Sequence, residues 1–394
     1  MPIPASGTPG YSFLSRWSWA GGAFPMTPKR LSTNTDKDPI ARFMSEAKPI
    51  IPPTATIKLD SDALVANWRA LDRLSGKAKA GAAVKANAYG LGARDVVQRL
   101  MAAGCTDFFV ASWQEAQEIE DLVGGKACVS VLNGVRDADL PFAFQSPAKP
   151  VLNSLEQVQR WKSSGKTCDI MINSGMNRLG INVEDLDAVA SAEMSVDIVM
   201  SHLASSDEDV PQNAAQLEQY KAALAIVPGI RTSLANSAGI ALGSDYHFDV
   251  TRPGLSLYGG VQRPALEDVI RQVAIPQAEI IQVRSLRAGD KLGYNARYTA
   301  AESHKVAILA MGYADGYLRG FSNSGMFTHE GIVLPVLGRV SMDLIAIDLT
   351  ESSDLKEGDW VECEYDLEVA SAQSGLSQYE LITGLGSRLA REWT

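Results

Sequence analysis

Cysteine is scarce in this chain, and no two cysteines are close in sequence. The four cysteines are Cys105, Cys128, Cys168 and Cys363. None belongs to a C-x-x-C motif, the spacing that many zinc sites and redox pairs use. The sequence therefore indicates neither a zinc site nor a disulfide framework. We expect no bound metal and a reducing compartment, the cytoplasm.

Long apolar runs and charged tails are also missing. No stretch reaches the roughly 18 consecutive apolar residues of a membrane-spanning helix, so we expect no membrane partner. The net charge of −10 is spread along the chain, and a negative surface disfavours binding to nucleic acid or anionic membranes. Hydrophobic residues make up 46% and charged residues 21% of the 394 residues. This composition is typical of a soluble globular protein, and the length is typical of two domains.

Residues 1–53 lack the patterning of the rest. They are rich in proline, serine, threonine and glycine and have no sustained periodicity. Such a segment cannot bury much apolar area, so we predict an extension without stable structure. Two interpretations remain open: an unstructured tail, with Met26 as an alternative start, or a targeting peptide whose basic residues precede Asp36.

Short apolar runs alternate with amphipathic helical patterns between residues 54 and 271. Eight buried strands separated by helices predict an α/β fold, a (β/α)8 barrel; a doubly wound open sheet is the alternative. The runs are 80–84, 108–111, 128–132, 150–152, 169–172, 196–200, 232–235 and 248–250.

After residue 271 the helical rhythm fades. Runs at 279–283, 305–310, 331–336, 344–348 and 360–365 are typical of strands, with glycine, aspartate and serine between them. We predict a C-terminal, mostly-β domain over residues 272–394. An early strand at 56–60 is a candidate to join it.

Chemically useful side chains come directly after the predicted strands. In a (β/α)8 barrel such residues gather at the C-terminal face, where active sites lie. Lys85 follows the first run. Burial there lowers the pKa of a lysine and favours the neutral amine that covalent catalysis needs, although a lysine reaching from the rim into solvent is the alternative.

Other strands are followed by residues suited to an anionic ligand. Arg178, His202 and Arg252 come after the fifth, sixth and eighth runs. Ser237 follows the seventh, at a helix start that suits a phosphate or an ordinary N-cap. Phosphate sites in such barrels commonly follow strands seven and eight. These residues together predict a phosphate-bearing ligand beside Lys85.

The ordered set of motifs resembles the alanine racemases, a family that uses pyridoxal 5′-phosphate. The motif at 83–90, AVKANAYG, resembles the cofactor-lysine motif of that family. The resemblance extends from Thr56 to the C-terminus. The other matching segments are 173–180, 201–208, 236–238, 252–260, 292–298, 312–317 and 338–343.

This resemblance implies racemisation of alanine by two bases within a homodimer. Lys85 would hold the cofactor and serve as one base, and Tyr294 of the partner subunit would be the other. The C-terminal domain of each subunit would cover the barrel of its partner, so that the active sites are shared. The expected product use is supply of D-alanine for peptidoglycan.

The resemblance also assigns supporting roles. Arg252 would face the pyridine nitrogen, and His202 would orient Arg252. Arg178 and Met342 would contact the substrate carboxylate. The phosphate contacts would come from Tyr89, Ser237, Gly254 and Leu255. The entrance would be lined by Asp207, Tyr313, Arg319 and Arg339.

Three positions depart from the family pattern. Met171 stands where many relatives carry a lysine modified by carbon dioxide, and Ser387 where many carry a tyrosine that reaches the phosphate. Leu91 stands where histidine is frequent. The first two departures leave open what positions Arg178 and what completes the phosphate site.

Other functions fit parts of the sequence. A racemase of another amino acid such as serine remains open, because pocket volume is not readable from sequence. A barrel-type decarboxylase that uses the same cofactor would place an acid, and not Arg252, opposite the pyridine nitrogen. A cofactor-carrier protein would have the barrel alone, without the strand-rich C-terminal part.

Overall fold

The structure is a computed structural model that describes residues 51–227 and 229–394. The predicted N-terminal extension lies, up to residue 50, outside the described residues and stays a prediction. The first described strand, β1 (Ala55–Leu59), leads into helix α1 (Ser61–Leu74). Asp60 begins this helix, because its side chain accepts a hydrogen bond from the Ala63 N–H at 2.8 Å.

Eight parallel strand positions then form a closed barrel. The first position is split at Gly81 into β2 (Lys79–Ala80) and β3 (Ala82–Ala83). The next seven are β4 (Asp107–Val110), β5 (Cys128–Val131), β6 (Lys149–Leu152), β7 (Cys168–Met171), β8 (Val196–Met200), β9 (Arg231–Ser233) and β10 (Val250–Thr251).

Backbone hydrogen bonds close this barrel on itself. The N–H of Gly81 donates to the Thr251 carbonyl at 2.9 Å, and the N–H of Arg252 donates to the Ala235 carbonyl at 2.8 Å. The last strand therefore joins both the first strand and β9. The predicted (β/α)8 barrel is confirmed, and an open sheet is excluded.

Helices of varied length connect the barrel strands and bury their apolar faces against them. The final barrel strand begins later than predicted, at Val250 and not at residue 248. Phe248 has a φ of 57°, which an extended strand cannot accommodate. The connecting helices are α2 (Ala93–Ala103), α3 (Trp113–Val123), α4 (Leu140–Ala143), α5 (Leu155–Trp161), α6 (Leu186–Ala190), α7 (Pro211–Leu224) and α8 (Ser237–Ile240).

The C-terminal part is a second, mostly antiparallel barrel built around one long strand, β11 (Ala274–Leu286). This strand pairs with β1 and with β18 (Trp360–Cys363) along its first half, and with β14 (His304–Leu309) across a bulge between Ile280 and Gln282. The remaining strands are β12 (Lys291–Leu292), β13 (Tyr298–Thr299), β15 (Met326–His329), β16 (Ile332–Leu337), β17 (Ile345–Asp348) and β19 (Ala390–Trp393).

The end of the chain returns to the first barrel. Helices α9 (Leu367–Ser374) and α10 (Gln378–Thr383) precede β19, which pairs in parallel with β1. The Arg391 guanidinium donates to the carbonyl of Gly90 at 2.9 Å and to that of Gly386 at 2.7 Å. The chain end is thus bonded to the turn that follows Lys85. Among the described residues, none of the helices has the length and apolarity to cross a membrane.

Candidate active site

The segment after the first barrel strand is a left-handed turn that begins at Lys85. Four consecutive non-glycine residues, from Ala86 to Tyr89, have φ values of 53, 54, 52 and 55°. Each such residue costs roughly 1–2 kcal/mol of conformational free energy. Local bonds offset this cost: the Asn87 side chain accepts the Ala93 N–H at 2.7 Å, and Glu115 accepts the Ala86 N–H at 2.7 Å. Strain of this kind is typical of functional sites.

Lys85 lines a cavity of about 620 Å³ at the C-terminal face of the barrel. Burial lowers the pKa of Lys85, and the Arg178 and Arg252 guanidinium groups lower it further. The Glu115 carboxylate acts in the opposite direction and raises this pKa. The net effect favours the neutral amine that a nucleophilic lysine requires.

The same cavity brings together eight of the residues that the sequence singled out. They are Lys85, Tyr89, Arg178, His202, Ser237, Arg252, Gly254 and Leu255. Their positions in sequence span from residue 85 to residue 255, so only closure of the barrel makes them neighbours.

Arg252 is a buried cation in the lining of the cavity. Its guanidinium donates to the Ser201 carbonyl and to the Ser233 hydroxyl, both at 2.5 Å. Burial lowers the pKa of Arg252 to about 10, so it remains protonated near neutral pH. Among the described residues, it has no carboxylate within hydrogen-bonding distance. A buried cation of this kind favours an acceptor supplied by a ligand.

His202 lies in the same cavity as Arg252, but the structure contains no hydrogen bond between the two side chains. The bonds that orient Arg252 come from Ser201 and Ser233, which the sequence analysis did not single out. Burial, with the nearby positive charge of Arg252, lowers the pKa of His202 to about 3. The imidazole is therefore neutral at physiological pH.

One end of the cavity gathers hydroxyl groups beside a close-packed glycine. The Tyr89 ring packs 4.8 Å from the Tyr258 ring, and a Cβ added at Gly254 would lie 2.3 Å from the Tyr89 hydroxyl. Only glycine permits that close approach. The Ser237 hydroxyl accepts the N–H of Gly254 at 2.9 Å and that of Ser256 at 3.2 Å. Because the Ser237 hydroxyl accepts both of these bonds, its own proton is free to donate to a ligand.

The three positions that depart from the family pattern, Met171, Ser387 and Leu91, have different surroundings in the structure. Met171 is buried and lines the cavity, so no modified lysine can contribute a negative charge there. Within the described residues, the Arg178 guanidinium has no carboxylate partner. Ser387 is exposed and lies outside the cavity lining, whereas Tyr379 from α10 is part of it. Leu91 is fully buried.

Tyr294 and Met342 do not join the cavity of their own chain. Both lie on the second barrel, where Tyr294 is 66% exposed and Met342 is 53% exposed.

The residues predicted to line the entrance lie in two places. Asp207 lines the cavity of the first barrel, and the Arg319 guanidinium lies 4.9 Å from the Tyr313 ring on the second barrel. Arg339 lies beside Arg319 in a smaller cavity of about 240 Å³. The predicted entrance residues are thus divided between the two barrels.

Comparison with known proteins agrees with this arrangement. Residues 59–262 match the family model described as alanine racemase, N-terminal domain, and residues 273–393 match alanine racemase, C-terminal domain. An alanine racemase of Rhodospirillum rubrum is 38% identical over 358 residues, which cover 86% of this chain and 96% of that protein. A catabolic alanine racemase of Agrobacterium fabrum is 37% identical over 86% of this chain and 91% of that protein.

Solved structures give the same result. An alanine racemase of Bartonella henselae, with covalently bound pyridoxal phosphate, has a TM-score of 0.81 and 34% identity, covering 87% of this chain and 100% of that one. The alanine racemase of Acinetobacter baumannii has a TM-score of 0.79 and 31% identity over 87% of this chain and 100% of that one. The resemblance found from sequence motifs is confirmed: this chain belongs to the alanine racemase family.

Proposed function

We propose that this protein interconverts L-alanine and D-alanine with pyridoxal 5′-phosphate held at Lys85. Membership of the alanine racemase family supports this reaction class. The single observation that carries the proposal is that the Lys85 amine and the Arg252 guanidinium line one cavity at the barrel's C-terminal face. A decarboxylase would be expected to place an acid where Arg252 lies.

The residues of the cavity fit this cofactor. Its volume of about 620 Å³ is within the range of small-molecule sites. The hydroxyls of Tyr89 and Ser237 and the backbone at Gly254 and Leu255 suit the phosphate, where the glycine leaves room that a Cβ would fill. Arg252 suits the ring nitrogen, because a guanidinium only donates hydrogen bonds and requires an acceptor without a proton.

When bound, pyridoxal phosphate supplies an electron sink that makes the α-proton of an amino acid acidic. Racemisation then requires one group to take that proton and another to return a proton on the opposite face. The Lys85 amine, with its lowered pKa, suits one of these roles. Arg178 lines the same cavity as a cation without a carboxylate partner among the described residues, which supports a contact with the substrate carboxylate.

We infer that Tyr294 of the partner subunit acts on the opposite face. Its phenol is 66% exposed and lies outside the cavity of its own chain. In a homodimer that sets the second barrel of one subunit over the first barrel of the other, this tyrosine and Met342 would enter the partner's cavity. The base that removes the α-proton becomes protonated, and the other base, which already carries a proton, donates it to the opposite face. Each turnover thus exchanges the protonation states of the two bases, and the proton count balances.

We also propose that the chain forms two domains, a cofactor-binding barrel over residues 54–271 and a C-terminal domain over residues 272–394. Strand β1 contributes to the second barrel through its pairing with β11. Production of D-alanine for peptidoglycan in the cytoplasm is the physiological role that we propose. Serine is the competing substrate, because it differs from alanine by one hydroxyl.

The test is a racemisation assay on purified protein supplied with pyridoxal phosphate. A panel of L-amino acids, with alanine and serine included, is followed by chiral separation of the products. We expect D-alanine to form fastest, and none to form with Lys85→Ala. Faster turnover of serine would identify serine, and not alanine, as the preferred substrate. If no amino acid is racemised, the proposal is wrong.

A further inference from the structure

We propose that Tyr379 donates its hydroxyl to the cofactor phosphate and so completes a site that Ser387 leaves unfinished. This inference rests on the proposed function, because it assumes that the cavity holds pyridoxal phosphate. It assigns a cofactor-binding role to a residue outside the motifs that carried the family resemblance.

Tyr379 lies at the end of the cavity that holds the proposed phosphate contacts. It lines the cavity together with Tyr89, Ser237 and Gly254. Its ring centroid is 6.2 Å from that of Tyr89, whose hydroxyl lies against Gly254. The Tyr379 ring therefore lies beside the part of the cavity that Tyr89 and Gly254 form.

A double hydrogen bond from the neighbouring residue fixes the position of Tyr379. The Gln378 side chain accepts the N–H of Val261 at 2.8 Å and donates to the Val261 carbonyl at 2.5 Å. Val261 follows directly on the loop that holds Gly254 and Leu255. Helix α10 is thus bonded to the segment that forms the phosphate site, although more than a hundred residues separate the two in sequence.

The hydroxyl of Tyr379 can turn toward an anion at low cost. It now donates to Oε1 of Gln262 at 3.1 Å. A hydroxyl has one donor and two acceptor sites, and an amide carries both types of group. When the hydroxyl donates to a phosphate oxygen, Gln262 can donate its amide N–H to the same hydroxyl oxygen. The pair then remains bonded with its direction reversed.

Electrostatics keep this hydroxyl protonated. Burial raises the pKa of Tyr379, and the nearby Asp207 carboxylate raises it further, against a smaller opposite effect of the bond to Gln262. A neutral phenol is a hydrogen-bond donor, whereas a phenolate would repel phosphate. Ser387, by contrast, is exposed, lies outside the cavity lining and cannot substitute for it.

The test compares cofactor binding with and without the phosphate group. Wild type, Tyr379→Phe and a control, Tyr246→Phe, are stripped of cofactor and titrated with pyridoxal phosphate and with pyridoxal. Tyr246 lies on the short turn Ser244–Tyr246 and is not part of the cavity lining. Thermal unfolding of the cofactor-free proteins checks that each variant folds.

We expect Tyr379→Phe to weaken pyridoxal phosphate binding by roughly ten- to a hundredfold, the size of one hydrogen bond to a charged group, and to leave pyridoxal binding unchanged. Tyr246→Phe should change neither. An equal loss for both ligands, or no loss for either, would overturn the role of Tyr379 while leaving the proposed function intact. Failure of the wild type to bind pyridoxal phosphate would instead refute the proposed function and this inference together.

A second measurement does not depend on any variant. The ³¹P NMR signal of bound pyridoxal phosphate should titrate little between neutral and mildly acidic pH if Tyr379, Tyr89 and Ser237 enclose the phosphate. A phosphate that titrates as it does in free solution would contradict an enclosed site and with it the contact to Tyr379.

Discussion

The carboxylate of Glu115 accepts the backbone N–H of Ala86 at 2.7 Å, one residue beyond Lys85. Its second oxygen accepts the N–H of Ala111 at 2.6 Å, just after β4. One side chain on α3 therefore ties together the ends of the first two barrel positions. It also sets a negative charge near the lysine amine, against the effects of burial and of Arg178. Glu115 is thus a positioning residue that also raises the pKa of Lys85.

Removing the Glu115 charge should lower the pKa of Lys85 further. In cofactor-free Glu115→Gln, the midpoint of the pH dependence of Lys85 acetylation, followed by peptide mass spectrometry, should move to lower pH. Glu118→Gln, an exposed change on the same helix, is the matched control. A midpoint that stays in place or moves upward would show that the Glu115 charge does not act on Lys85.

Lys85 should be the lysine that carries the cofactor. Borohydride treatment of the holoenzyme, followed by peptide mapping, should fix the cofactor to Lys85. Lys149 is an internal control: it is also buried, but Asp169 and Asp197 outweigh the effect of burial and raise its pKa. A charged amine is a poor nucleophile, so Lys149 should stay unlabelled. Label on any lysine other than Lys85 would refute the assignment.

Arg252 should limit side reactions. Because arginine only donates hydrogen bonds, an Arg252 that faces the ring nitrogen would leave that nitrogen without a proton and keep the electron sink weak. Arg252→Glu should slow racemisation and increase the share of turnovers that end in transamination, measured as pyruvate released from alanine. An unchanged ratio of pyruvate to D-alanine would mean that Arg252 does not face the ring.

His202 should make the cofactor-free protein sensitive to acid. Its pKa is about 3 in the folded state and about 6.5 in the unfolded chain. Between these values the unfolded chain binds more protons, so the free energy of unfolding falls as the pH drops through that window. Urea midpoints measured from pH 7 to pH 4.5 should fall less steeply in His202→Gln than in wild type. Parallel curves would count against a neutral buried imidazole.

The two proposed bases should come from different subunits. Lys85→Ala and Tyr294→Phe should each be inactive, and mixing them under conditions that exchange subunits should restore about a quarter of wild-type activity. Half of the dimers are then mixed, and each mixed dimer has one intact site of two. The unexchanged mixture is the control. If exchange is verified and no activity returns, the shared-site arrangement is wrong.

Much of the first barrel was predictable, because each buried strand is a short apolar run and each helix has its own periodicity. The polar residues just past those runs indicated Lys85 and Arg252. Local pattern could not locate β15 (Met326–His329), a strand of four residues that is held by pairing with β16 and β18. The shift of β10 depends on a single backbone angle at Phe248.

The residues of the site that escaped prediction all act through tertiary contacts. Ser233 lies inside a predicted strand, and only barrel closure turns it toward Arg252. Glu115 is an ordinary acidic residue in the first turn of α3 until its bond to Ala86 is seen. Tyr379 is distant in sequence from every barrel motif. Tyr294, by contrast, was singled out in advance, but only through the family resemblance and not through a pattern of its own.

The bond between Arg391 and Gly90 also sets an order of events during synthesis. The turn that begins at Lys85 emerges from the ribosome some three hundred residues before the arginine that holds it. While the chain is still being made, Ala86 to Tyr89 lack that support and can relax from their left-handed φ values. We therefore expect the turn at Lys85 to become fully ordered only after β19 has been translated and has paired with β1.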